Sequence, residues 1–200
     1  MDASGRIILI DDNPHDDEVL LQLLAENGYV IEKLADATNA LPAIADEKPH
    51  LVLLGDRLSD GDPFHLMAQL KQHQKTKYIP VIYLTADEKT DSRIKGVELG
   101  DDIINYPFNT REVLARVERQ VTVYKVRMAL RESEKKFRSV MESAIDAIIS
   151  ADEAGYIRSW NNAAAAMFGY AERETIGQPL ELIIPERYRK PHRNGLQRVS

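Results

Sequence analysis

The sequence predicts an α/β chain: a doubly wound parallel sheet of five strands, then one long helix, then a smaller α+β segment. Three observations carry this. Short, unbroken apolar runs recur through the first half, each followed by a stretch of helical spacing, as in strands buried on both faces. Between Thr110 and Gly155 no glycine or proline interrupts the chain. Around that glycine, short alternating runs bracket a tight turn, the signature of a hairpin.

Ile7-Ile8-Leu9-Ile10 is the first strand, closed by Asp11-Asp12-Asn13-Pro14, with Pro14 suited to a first helical turn. Val19, Leu20, Leu23 and Leu24 give the next helix its apolar face, and Asn27-Gly28 stops it. Tyr29 to Leu34 is the second strand, 38–48 the second helix and Leu51 to Leu54 the third strand. Asp62-Pro63 opens a helix faced by Phe64, Leu66, Met67 and Leu70. Val81-Ile82-Tyr83-Leu84 is the fourth strand and ends at Thr85-Ala86; a helix over 91–99 and a short strand at Ile103-Ile104 complete five βα units. Such sheets bind ligands at the carboxyl ends of their strands, which places function after Ile10, Leu54, Leu84 and Ile104.

A net charge of -6 over 200 residues, with the basic residues scattered, argues against a nucleic-acid surface, which needs a concentrated basic stripe. The lack of cysteine excludes disulfides, thiolate zinc sites and cysteine nucleophiles. No run reaches the roughly 18 apolar residues of a membrane span, and Met1 to Arg6 holds no apolar core, so a cytoplasmic protein is expected. No kinase or cyclase motif occurs, so these residues are not expected to form an enzyme, although an output enzyme domain past residue 200 fits the layout.

Residues 6 to about 120 resemble the receiver domain of bacterial response regulators, a flavodoxin-like fold. The family has an acidic pair after the first strand, an aspartate after the third, a threonine or serine after the fourth, and a lysine before a proline after the fifth. Asp11-Asp12 and Thr85-Ala86 match, and Pro107-Phe108 follows Tyr106 where the lysine belongs. The resemblance implies an aspartyl phosphate formed by carboxylate attack on phosphorus, with carboxylate-held magnesium offsetting the charge and the Thr85 hydroxyl bonding a phosphoryl oxygen. It also implies a weak Mg2+ site at Asp11 and Asp12, and a histidine kinase or phosphotransfer partner. Taken alone, Asp11 and Asp12 read more simply as helix-capping acids, and Thr85 as a loop threonine.

Matching Pro49 to Leu54 onto the family's third strand places Gly55 at the acceptor position, with Leu58, Ser59, Asp60 and Gly61 following in register. Asp56 falls one residue late. Such a shift turns a strand side chain to the opposite face, pointing Asp56 away from Asp11 and Asp12, whereas a bulge at Gly55 would turn it back. Ile103 stands where the family has its switching aromatic, so Thr85 and Ile103 are the switch positions. The phosphoacceptor pocket is then Asp11, Asp12, Gly55, Asp56, Thr85 and Tyr106. The expectation is a degenerate receiver, a pseudo-receiver acting by docking or dimerisation. The alternative keeps phosphotransfer, with Asp56 accepting from a histidine kinase.

A helix from Thr110 to Ser143 would be about 50 Å long. Leu114, Val117, Val121, Tyr124 and Met128 keep a 3-4 spacing, and Val126, Leu130, Phe137, Val140 and Ala144 keep a second, shifted one. Such a change of phase marks an interrupted coiled coil and predicts a parallel homodimer through the linker, while the first series also suits a helix folded onto the sheet.

Ala147 to Ser150 and Tyr156 to Trp160 read as strands about a turn at 152–155, with a short helix from Asn161 ending at Gly169. With Phe137, Trp160-Asn161, Phe168-Gly169-Tyr170, Glu174, Ile176-Gly177 and Ile183-Ile184-Pro185-Glu186, this order resembles the N-terminal half of a PAS domain, which implies a fragment. Pro185 to His192, followed by Arg198, also resembles the haem-bearing helix of bacterial oxygen-sensor kinases, with His192 the candidate iron ligand of a haem-based gas sensor. The same pattern is widespread in PAS domains without haem, and a structural His192 is the preferred reading. The expected domains are a receiver at 1–120, a helical linker at 121–143 and a partial PAS sensor at 144–200.

Overall fold

The computed structural model describes residues 4–12, 14–34, 37–86 and 98–196, and only the backbone course of 14–17 and 192–196. The chain divides into two compact units, 1–129 and 130–200.

In the first unit the strands are β1 (Gly5–Ile10), β2 (Tyr29–Leu34), β3 (Leu51–Gly55), β4 (Val81–Thr85) and β5 (Asp102–Asn105). All pair in parallel, in the order β2-β1-β3-β4-β5. The order reverses between β1 and β3, which opens a crevice at their carboxyl ends. Side chains alternate along these strands, so one sequence run feeds two cores. Ile7, Leu9, Leu51, Leu53, Ile82 and Leu84 face Leu20 and Leu24 of α1 (Pro14–Glu26) and Val113, Val117 and Val121 of α4 (Thr110–Ser143). Ile8, Ile10, Val52, Leu54 and Val81 face α2 (Ala40–Glu47) and α3 (Pro63–Gln72) through Ile44, Leu66, Met67 and Leu70. Each such fully buried aliphatic side chain contributes about 1.5–3 kcal/mol of transfer free energy, and this core sets where the strand ends lie.

In the first unit two helices depart from the sequence expectation, and a third lies mostly outside the described residues. The second helix begins at Ala40 rather than at 38, because the Asp60 carboxylate takes the Ala37 N–H, the Thr38 N–H and the Thr38 hydroxyl and holds them out of the helix. On α4, Val113 occupies the buried position with Leu114 only half-buried, and Met128 is exposed. Of the helix expected over 91–99, residues 91–97 lie outside the described residues, while Glu98 and Leu99 are helical.

At the amino end of the sheet, His50 Nδ1 accepts the Arg6 backbone N–H at 3.1 Å, and its ring meets Tyr124 edge-on with centroids 5.9 Å apart. Burial first, then the cations of Lys125 and Arg6, hold the imidazole below its ordinary pKa. At β5, Asp102 accepts from Arg116 at 2.5 Å and Arg119 at 2.9 Å, both on α4, and so fastens that helix to the sheet.

The second unit pairs β6 (Ile149–Ala151) with β7 (Ile157–Trp160) in antiparallel fashion, followed by α5 (Asn162–Phe168), α6 (Glu172–Thr175) and α7 (Glu186–Leu196). Gly155, at φ 83, supplies the left-handed residue of the hairpin turn, and Asp152 accepts the Ala154 and Tyr156 N–H groups inside it. The core is small: Ile157, Trp160 and Ala164, ringed by half-buried neighbours. The Asn161 side chain, 3% exposed, uses every hydrogen-bond position it has. Its amide donates to the Met141 and Asp146 carbonyls, and its oxygen accepts the Ile148 and Ala164 N–H groups. The His192 side chain and Arg198 lie outside the described residues.

Candidate functional site

The carboxyl ends of β1, β3 and β4 bring Asp11, Asp12, Gly55, Asp56 and Thr85 to one edge of the sheet. Asp11 is 2% exposed and lies against Gly55. A Cβ built on Gly55 would stand 2.7 Å from Asp11 Oδ2 and closer still to the rest of that carboxylate, so the Asp11 side chain fills the space that a residue-55 side chain would need. The β3 ladder reaches Gly55 in register, paired with Leu84. Asp56 follows at the strand end, and its Oδ2 accepts the Thr85 hydroxyl at 2.8 Å and the Ala86 N–H at 3.0 Å. Asp12 is tied elsewhere: its backbone N–H donates to the Arg57 carbonyl at 3.1 Å, and its carboxylate accepts the Ser59 N–H.

The carboxylates therefore aim at separate partners. Among the described residues no group of three His, Asp or Glu side chains could hold a metal ion. As a donor set for magnesium, Asp11 and Asp12 suit at most a weakly held ion that keeps most of its waters.

Tyr106 is half-buried and packs against Phe108 with ring centroids 5.1 Å apart, within the core that α1 and α4 cover. The Tyr106 N–H donates to the Thr85 carbonyl at 2.8 Å, so the two positions are joined through the backbone. Ile103 lies on the other face, half-buried against the core that α2 and α3 cover, and it does not meet Tyr106 in one cluster. Two participants were not singled out from sequence: the Ala86 N–H, because a backbone donor leaves no letter in the chain, and the Asp60 clasp. The signal for the clasp was an aspartate in a loop just ahead of the Asp62-Pro63 helix start, where such residues usually serve locally.

Comparison with known proteins agrees with this fold. The model of the response regulator receiver domain matches residues 7–118, and that of the PAS fold matches 135–199. Transcriptional regulatory protein GltR of Pseudomonas aeruginosa is 35% identical over 120 residues, covering 59% of this chain and 50% of GltR. The chain spans about half the length of the curated relatives it matches. A putative response regulator from Chloroflexus aurantiacus superposes with a TM-score of 0.57 at 27% identity, over 59% of this chain and 98% of that one. The receiver domain of sensor histidine kinase PA1611 from Pseudomonas aeruginosa, described with a magnesium ion in its active-site cleft, gives a TM-score of 0.56 at 24% identity, over 60% and 99%, a likeness of fold. With the receiver match covering more than half its length, the chain belongs to the response regulator receiver domain family, and a PAS fold follows the receiver.

Proposed function

We propose that this chain is a non-catalytic signalling module whose receiver works without phosphorylation, by docking or dimerisation, and is coupled through α4 to a PAS sensor. One observation supports the reading: Asp11 fills the space in front of Gly55, which we take as the acceptor position, while the Asp56 carboxylate is engaged by Thr85 and Ala86. Tyr106 adds to it, since a phenol packed on Phe108 supplies no positive charge for a phosphoryl group. A weak Mg2+ ion on Asp11 and Asp12 belongs to the reading, and would neutralise charge at the strand ends. Incubation with magnesium and acetyl phosphate, followed by peptide mass spectrometry, tests it. No added phosphate is expected, and phosphate on Asp56 overturns the proposal in favour of acceptance from a histidine kinase.

The docking surface is the second apolar series on α4. Val126, Leu130, Phe137 and Val140 are each between 59% and 67% exposed in the single chain, at the spacing of a two-stranded seam. A second copy of the chain, in parallel, is the partner this spacing suits. Signals would then pass as a population shift between two arrangements of the paired helices.

A further inference from the structure

The second unit holds an open cleft of about 400 Å³, within the size range of small-molecule sites. One wall is a single face of α4, where Glu134, Phe137, Arg138 and Met141 follow one another at the 3-4 spacing of a helix. The other side is supplied by β7 and the Asn161 that follows it, together with Glu172 of α6. The polar groups on the β7 side are already engaged. Arg158 gives its guanidinium to Asp152 at 2.8 and 3.0 Å, the Ser159 hydroxyl pairs with that of Ser150 at 2.6 Å, and the Trp160 indole N–H donates to the Tyr170 carbonyl at 3.0 Å. Asn161 is saturated. Two kinds of lining group are left for a ligand. Glu134, Arg138, Glu142 and Glu172 are exposed at the rim, and their side chains form no hydrogen bond or ion pair with another described residue. Phe137, Met141 and Trp160 supply apolar surface.

We propose that this cleft is a binding site for an organic cation, an amine or quaternary ammonium carried on an apolar body. Among its uncommitted charges three carboxylates stand against one guanidinium, so the local field favours a cation and repels an anion. Phe137 and Trp160 add aromatic surface, whose ring quadrupole attracts a cation, and Met141 gives an adaptable contact for the apolar body. A metal ion fits poorly, because among the described residues no three His, Asp or Glu side chains converge closely enough to hold one. A bulky ammonium needs no such coordination. The acids alone would be an ordinary solvated face; their place around a cleft with an aromatic lining is what selects the ligand. Phe137 also belongs to the exposed apolar series of α4, so a molecule seated here touches a residue of the docking surface directly. As the ligand sensed by the PAS fold the cation rests on the sensor reading, whereas the binding site itself stands without it.

Trp160 is the chain's single tryptophan, so its fluorescence and its one indole N–H resonance report on the cleft without a label. The probe is benzyltrimethylammonium, set against phenylacetate and benzyl alcohol, which keep the aromatic ring with a negative charge or with none. In the unaltered 200-residue chain the cation should shift both signals saturably, weaken with added salt, and bind about fivefold or more tightly than either control. The double variant Glu134→Gln, Glu142→Gln should bind it about threefold to fivefold more weakly. No saturable shift with the cation, or equal or tighter binding of either control, overturns the site on the unaltered protein alone, whether or not the variant folds. So does an unchanged affinity in the folded double variant. The failures separate. A chain that sediments as a monomer yet binds the cation defeats the dimer seam and keeps the site, as phosphate on Asp56 beside saturable cation binding defeats the phosphorylation-free reading and keeps it. A dimer that ignores the cation defeats the site alone.

Discussion

A methyl group at position 55 has nowhere to go while Asp11 keeps its place, so Gly55→Ala forces the buried carboxylate to move. The expected loss is about 1–3 kcal/mol, read as a lower urea midpoint at unchanged slope. The residue at 55 is thus constrained by packing. A second residue-level expectation concerns His50, whose folded pKa lies below its unfolded value through burial and the nearby cations of Lys125 and Arg6. Between those two values the unfolded chain binds the proton and the folded one does not, so stability is full above the unfolded pKa near 6.5 and falls as pH drops below it. Urea midpoints measured across that window should decline toward acid in the unaltered protein and decline less in His50→Gln. The placing of Gly55 at the end of β3 and of Thr85 at the end of β4 was legible in the sequence, because strand register fixes which letter sits at which place. The partner of Asp56 was not legible, since half of it is a backbone N–H.

At the scale of elements, α4 carries two apolar series and the first unit buries only one of them. Val117 and Val121 pack on the sheet, whereas Leu130 and Phe137 stand exposed. Leu130→Glu together with Phe137→Glu should leave far-UV circular dichroism unchanged and turn a dimer into a monomer in analytical ultracentrifugation. A monomeric parent would remove the seam from the proposal. The parallel strands were read to within two residues because strands buried on both faces give short unbroken apolar runs, here bounded by turn residues. The start of α2 was misplaced by two residues for a tertiary reason: Asp60, 22 positions beyond Thr38, competes for the groups that would begin the helix. No local pattern records a partner that far along the chain. Asp102 makes a related point, since its two arginines come from α4, and Asp102→Asn should loosen that helix by about 1 kcal/mol, seen as faster amide exchange along 110–121.

At the scale of the whole chain, two units with very different cores share one sequence. The first has a two-sided core of fully buried aliphatic residues, and the second closes on Ile157, Trp160 and Ala164. Thermal unfolding should therefore show two transitions, the lower belonging to 130–200. Asn161→Ala should lower that transition alone by leaving buried carbonyls and N–H groups without partners, a cost of about 1–3 kcal/mol, with amide protection in 1–129 unchanged by mass spectrometry. The side chain reaches from the end of α4, through the Met141 carbonyl, to the hairpin, through the Ile148 N–H. A primary amide has two protons to give and one oxygen to receive, and here none is spare. A contact with spare capacity can stretch and trade partners, and so answers a disturbance by degrees. Saturated as it is, Asn161 has no spare partner to trade, so a displacement at the end of α4 bears directly on its bond to the hairpin.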